Sequence, residues 1–402
     1  MKKIKLMFTS KPSNELSTLR RTNLGRILHT VREQPGISHS ELVQSIGMAG
    51  GAVSSLVNEL LEVGLLCEAA EAGQSRGRPR RRLSLADSHI DLIGVRLTRD
   101  VVEVHGTTLA GRTLEQAIVQ PHSGMSPKDA GEIVGSLTEK ILRGRVRQNG
   151  MPRMAISIPG TLRAQSLDST ELNWRRIPAD DMFAALAKAG FGDAMLGNDG
   201  SFATLAEFRL GAGRDYRNAV VILLERGLGG SAIVDKRLMR RAEVEIGFGH
   251  TPLDPTGELC NCGLRGCLEL AVSQHTFAQR LGELTQSEQV SSAKYAAELQ
   301  VRATAGDKDV LDTLDTAREQ LRRFGDVADA LLNPDLFVLT GSSVALAPWL
   351  LTDYVGNSAT PMVAGMLGEA APLLGAICQA QDNFFVDPVL FATSRQAEIS
   401  GS

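Results

Sequence analysis

The sequence predicts a mixed α/β chain: a small helical head followed by a larger body of two lobes around a cleft. Three observations lead there. Residues 23–63 read as helix, short helix, glycine turn and longer helix, the parts of a helix-turn-helix. From residue 90 onward short apolar strands alternate with helices, with glycines at the strand ends, as in layered folds that bind ligands at the carboxyl ends of their strands. Charge is also divided, with 13 Lys and Arg against 8 Asp and Glu in residues 1–88, and 30 against 38 in the remainder. A chain of 402 residues exceeds one ordinary core, so the expected division is a head, 1–88, and a body, 89–402.

In the head, Asn23 to Arg32 places Leu24, Ile27, Leu28 and Val31 on one helical face, and Pro35-Gly36 ends it. Ser38 with Glu41 three residues on forms a capping box for a short helix, Ser40–Ile46, that stops at Gly47. A third helix, from about Ala49 to Val63, buries Val53, Leu56, Val57, Leu60 and Leu61. It leaves Ser54, Ser55 and Asn58 outward, small polar groups suited to a major groove. Leu65–Glu68 and Arg82–Leu85 read as strands around GQSRGRPRR, a turn whose Arg76, Arg78 and Arg80 suit phosphates or a narrow minor groove. A basic head on an acidic body points to a polyanion, double-stranded DNA. The competing reading is a three-helix packing unit with a solvated basic loop.

In the body, Leu92–Leu97 and Val101–Gly106 read as strands and Ala130–Leu142 as helix. Met154–Ile158 is a strand closed by Pro159-Gly160, Ala179–Ala189 a helix, and Ala194–Leu196 a short strand reaching Asn198-Asp199. Strand, glycine turn and strand recur at Ala219–Leu224, Gly227–Gly230 and Ser231–Val234. Helices run on to Ala330, Leu336–Leu339 is the last strand, and Pro372–Ala380 is an apolar helix.

Composition excludes several classes. With 43% hydrophobic and 22% charged residues the chain is that of a soluble globular protein. The opening MKKIKLMFTSKPSNEL holds no apolar run of signal-peptide length, and no segment approaches a membrane span, so a cytoplasmic protein without membrane insertion is expected. Five cysteines, three of them clustered, fit a reducing compartment; Cys67 and Cys378 read as small core residues.

The densest chemistry lies in Glu243 to Leu270, where His250, Cys260, Cys262 and Cys267 stand within twenty residues. Three thiolates and an imidazole form the shell that a structural Zn²⁺ prefers. A disulfide is the chemical rival, disfavoured by the odd local count. The run H-x9-C-x-C-G-x2-G-C-L-E resembles the signature of the ROK family (repressors, open reading frames and kinases), in which that His and those Cys bind zinc. The resemblance extends over most of the chain and implies an actin-like, hexokinase-type body of two ribonuclease-H-like lobes, preceded in the family's sugar-responsive repressors by a winged helix-turn-helix with an arginine-bearing wing.

The same resemblance locates a sugar pocket. Asn198, Asp199, His250 and Glu269 match positions that family kinases place on sugar hydroxyls, Asp199 matching the catalytic base; by spacing alone Asp199 reads equally as a helix cap. Gly247 stands where the E-x-G-H glutamate belongs, with Glu245 two residues early as a substitute. Glu171 of Ser169-Thr170-Glu171-Leu172 replaces a family Asn. On the nucleotide side the departures accumulate. Arg96 and Thr98 replace the carboxylate and glycine of D-x-G-x-T, Glu225 opens the turn that should read G-T-G-x-G-G, and Gly341-Ser342-Ser343 stands for G-G-G. The implied protein is not an enzyme. It is a transcriptional regulator, a repressor of carbohydrate genes, acting as a homodimer or homotetramer on an operator and answering to a sugar or sugar phosphate. Two alternatives stay open: an active ATP-dependent sugar kinase with a DNA-binding head, or a repressor released by a protein partner such as a sugar transporter subunit.

Overall fold

The head grows from one helix, α1 (Glu15–Glu33), whose Leu24, Ile27, Leu28 and Val31 are all buried as its periodicity requires. A computed structural model describes residues 15–70, 81–143, 151–163, 166–239, 247–352, 360–386 and 388. After β1 (Ile37–Ser38), α2 (His39–Ile46) is capped reciprocally. The Ser38 hydroxyl accepts from the Glu41 N–H at 3.4 Å and the Glu41 carboxylate accepts from the Ser38 N–H at 2.8 Å. Gly47, at φ 69°, ends it in the left-handed conformation that glycine adopts without strain. α3 (Gly50–Glu62) buries Val53, Val57 and Leu60, while Leu56 and Leu61 are only half-buried at the margin of the stripe. β2 (Leu66–Ala70) and β3 (Arg81–Leu85) form an antiparallel hairpin, and β1 joins β3 to give the order β1-β3-β2. Cys67, expected in the core, is exposed, because it falls on the outward phase of β2 next to buried Leu66. Cys378 is buried as expected.

The body repeats one topology twice. β4 (Leu92–Leu97), β5 (Val102–Thr107) and β6 (Thr113–Val119) make an antiparallel meander; α4 (Pro127–Leu142) leads to β7 (Arg153–Ile158), parallel to β4. A small sheet follows, of β8 (Thr161–Arg163), β9 (Ser166–Ser169) and β10 (Trp174–Pro178), then α5 (Asp180–Lys188) and β11 (Met195–Asn198), giving the order β11-β7-β4-β5-β6. After α6 (Asp199–Leu210), β12 (Ala219–Leu224), β13 (Leu228–Val234) and β14 (Arg237–Leu238) form the second meander. The helices α7 (Glu269–Val272), α8 (Gln274–Arg280), α9 (Leu284–Gln289), α10 (Ser292–Thr304) and α11 (Lys308–Leu332) cover it. β15 (Leu336–Thr340), α12 (Ala347–Leu350) and β16 (Met362–Ala364) complete the order β14-β13-β12-β15-β16, with β15 and β16 parallel to β12 and β15. Each sheet thus has three antiparallel strands and two added in parallel on the same edge. β4, β12 and β15 are buried at every position, which covered faces on both sides require.

α13 (Ala371–Val386) lies between the two sheets beside α6 and also meets the head. Its Ile377, Ala380, Phe384 and Phe385 share one apolar cluster with Leu24, Ile27 and Leu28 of α1. Two sequence expectations shift. The glycines 227–230 are not a separate turn, since strand pairing already begins at Leu228 and the reversal is made by Glu225–Gly227. The sheet β8–β10 had no apolar run to announce it, being short, polar and irregular, with Asn173 and Arg176 at positive φ.

Candidate functional site

The cleft opens at the carboxyl ends of β4, β7 and β11, where parallel strands leave the sheet. Asn198 ends β11 and caps α6: its Oδ1 accepts from the Ser201 N–H at 3.0 Å, and its Nδ2 donates to the Gly160 carbonyl at 2.5 Å. The cap of α6 is therefore Asn198, and Asp199 is left to line the cavity with Glu171 and Arg226. Its Oδ1 accepts from the Gly200 N–H at 2.7 Å and the Asn198 amide at 3.0 Å. A Cβ on Gly200 would strike the Gly230 nitrogen, so α6 approaches β13 this closely only as glycine. Glu269 approaches from the other side, accepting from the Leu228 N–H at 3.2 Å. Glu171 accepts from the Arg99 N–H at 3.3 Å. Burial pushes its carboxyl up to about 7, with Glu225 and Asp100 adding to the shift while the Arg99 N–H and Arg226 oppose it. The cavity measures about 20 Å³, room for about one water.

At the carboxyl ends of β4, β12 and β15 the chain's own groups contact one another. Thr98 Oγ1 accepts from the N–H groups of Asp100 (3.2 Å) and Val101 (3.1 Å), closing the β4–β5 turn on itself. Arg96, 8% exposed, donates to Glu369 at 2.9 Å and stands 3.8 Å from Glu225. Glu225 in turn accepts from the Ser342 N–H at 3.1 Å, so a carboxylate occupies a donor of the Gly341-Ser342-Ser343 turn. Burial works to lower the Arg96 pKa, and Glu225 and Glu369 outweigh it and raise it. Across the lobes, Arg226 forks onto Asp100 at 3.0 and 3.3 Å and donates to the carbonyls of Ser287 (2.9 Å) and Val290.

Beside this cleft, ligand atoms of His250, Cys260, Cys262 and Cys267 all lie within 4.8 Å of one another. His250 Nδ1 is 3.6 Å from Cys260 Sγ, and Cys262 Sγ is 3.5 Å from Cys267 Sγ. About 3.8 Å is the sulfur–sulfur edge of a tetrahedron with 2.3 Å Zn–S bonds, so the residues fit a four-coordinate ion. The contacts that shape the cysteine loop are local. Isolated bridges pair Pro252 with Cys267 and Leu259 with Arg265, and a Cβ on Gly266 would strike the Asp254 carbonyl. Without a cation, burial pushes the Cys260 and Cys267 thiols up; a metal would displace those protons. His250 Nδ1 also lies 3.7 Å from Glu269 Oε2, joining the cluster to the cleft. Glu245 lies outside the described residues.

The ROK family model matches residues 93–382, most of the body. The chain belongs to the ROK family. The DNA-binding transcriptional repressor Mlc of Escherichia coli is 24% identical over 374 residues, covering 88% of each chain. A glucokinase of Thermotoga maritima is 26% identical over 307 residues, 70% of this chain and 88% of its own. In the crystal structure of a ROK family transcriptional regulator, a homologue of the E. coli Mlc protein, the fold matches with a TM-score of 0.74 at 21% identity, over 92% of this chain and 98% of that one.

The glucokinase match covers 70% of the chain; the match to the Mlc repressor covers 88%, more than the body alone can supply, and so reaches the head. There α3 presents Ser55 and Asn58 to solvent and Ser54 half-buried; Gly50 and Gly51 at its start have no neighbour that a Cβ would meet. Its N-terminal cap, Ala49, supplies no side-chain bond. Arg76, Arg78 and Arg80 lie outside the described residues, in the stretch of sequence between β2 and β3. The residues that sequence reading missed are the lobe-crossing partners. Asp100 and Glu369 sit 126 and 273 positions from the arginines they meet, and no local pattern links them. Among the described residues no helix is long and apolar enough to cross a membrane.

Proposed function

We propose that this ROK protein is a transcriptional repressor of carbohydrate genes, whose head (1–88) reads a palindromic operator and whose body (89–402) senses a sugar or sugar phosphate. The observation that carries this reading is Glu225: a carboxylate that accepts from the Ser342 N–H and faces Arg96 occupies, within the chain, the place where triphosphate and Mg²⁺ would be needed for phosphoryl transfer. Asp199 is the relic of a kinase base, and with Asn198, Glu245, His250 and Glu269 it holds sugar hydroxyls, for which carboxylates and amides are suited. In the head, Ser54, Ser55 and Asn58 face the major groove, while Arg76, Arg78 and Arg80 form the wing on phosphates and the minor groove. Two heads of a dimer would meet half-sites about 34 Å apart, and a sugar that alters their spacing changes affinity. The cation of the His250–Cys267 cluster is zinc, a structural ion that fixes the loop carrying His250 and Glu269.

Selection of duplexes from the protein's own genome, followed by gel-shift titration at fixed salt, tests the head. Arg78→Ala is expected to weaken binding about tenfold without lowering the melting temperature of the body. A coupled assay with ATP and a panel of hexoses tests the body. Turnover above that of Asp199→Asn would replace this reading by that of a sugar kinase with a DNA-binding head.

A further inference from the structure

Three helices run in mechanical contact from the cleft to the head. α6 begins at Asp199 and ends at Leu210, a span of about 18 Å by helical rise. α13 crosses α6 at Gly375, where a Cβ would overlap the Phe202 carbonyl; α1 crosses α13 at Gly25, where a Cβ would overlap the Phe385 carbonyl. Both crossings are backbone against backbone, and close packing of that kind transmits displacement instead of absorbing it. Beside them one carboxylate is shared. Asp382 of α13 accepts from Arg209 Nη2, near the end of α6, at 2.5 Å and from Arg32 Nη1 of α1 at 2.8 Å.

Each arm of this junction is braced. Arg209 also donates to the Cys378 carbonyl at 3.2 Å. Arg32, its side chain 13% exposed, reaches Gln381 at 3.2 Å and lies over the Phe385 ring, 5.4 Å from its centroid. Gln381 is tied to the body through the Leu109 carbonyl at 2.7 Å. The two guanidiniums sit on different elements and meet only at Asp382.

We infer that Asp382 is the positioning residue by which movement of α6 at the cleft is conveyed to the head, through the Arg209–Asp382–Arg32 junction. This rests on the proposed sensing cleft and DNA-reading head, and adds the route between them. An occupant that contacts Asn198 or Asp199 moves the start of α6. The rigid helix carries that movement to Arg209, and a half-buried carboxylate shared by two cations cannot follow one without loosening the other.

Hydrogen exchange on the full chain, with neither ligand nor DNA, tests the route apart from the function. Arg209→Met alters only the body, yet amides of residues 24–33 in α1 are expected to exchange about tenfold faster. Asp382→Asn, nearly isosteric, is expected to do the same. The Arg32→Met and Arg209→Met double variant should exchange no faster in α1 than Arg32→Met alone, since both cut one path. Should Arg209→Met accelerate the whole body, Arg209→Lys keeps the charge and decides: α1 protection at the unmodified level supports the route, and its loss overturns it. Unchanged α1 exchange in Arg209→Met beside faster exchange in Arg32→Met also overturns it, and leaves the proposed function standing.

Discussion

Arg96 donates to Glu369 at 2.9 Å across 273 positions of chain, tying the first strand of one lobe to the turn that leads into α13. With Glu225 on its other side, the guanidinium holds carboxylates of different elements around one cation. Arg96→Met is expected to destabilise by roughly 2–4 kcal/mol, because it strands the buried Glu225 carboxylate without its counter-charge. Urea unfolding reads the loss. Combining it with Glu225→Gln should recover part of it, and a single variant costing under about 0.5 kcal/mol would show the pair to be peripheral.

The metal centre predicts composition as well as stability. Elemental analysis of protein purified without added metal is expected to find roughly one zinc per chain, lost in Cys267→Ser. Thiol titration gives an independent reading, since chelation should expose Cys260, Cys262 and Cys267 to reagent. A fully folded, operator-binding sample free of zinc would remove the ion from this account.

Glu171 gives the cleft a pH dependence whose sign follows from linkage. Its carboxyl is held at about 7 against the usual 4.5 of a free glutamate, so the folded state keeps a proton that the unfolded state releases. Stability contributed by this group is therefore present in full at the acid end and is lost as pH rises from about 4.5 through 7. Glu171→Gln should flatten that slope and raise stability at pH 8 by about 1–2 kcal/mol, allowing for partial solvent access. A variant whose stability curve parallels the original between pH 5 and pH 8, on the order of that window, would deny the burial of this charge.

The Ser38–Glu41 box is the most local of the expectations. Ser38→Ala removes the hydroxyl that accepts from the Glu41 N–H and is expected to cost about 1 kcal/mol of head stability. Exchange of the α2 amides reads it directly. No change there would mean that packing of Leu42 and Ile46 alone holds the helix.

Legibility in the sequence followed the range of the forces involved. The capping box, the Gly47 stop and the buried stripe of α1 are local, and they appear where the pattern puts them. So does the metal cluster, whose four ligand residues are close in sequence as well as in space. Arg96 stood out in the sequence too, but its partner did not, because Glu369 comes from the far end of the chain. Cys67 misled for the opposite reason: an apolar residue type says nothing about which phase of a short strand faces out. The small sheet β8–β10 carries almost no hydrophobic signal, and only its place over the cleft makes it matter.

The position of α13 has a bearing on how the chain is made. The Arg32–Asp382 contact joins residues 350 positions apart, so α1 leaves the ribosome roughly 20–70 s before the surface it rests on exists, at about 5–20 residues per second. Until then the head is tethered but unseated. Only a polypeptide synthesised through α13 has a head held in register, and a prematurely terminated one carries the helical head without the surface that seats it.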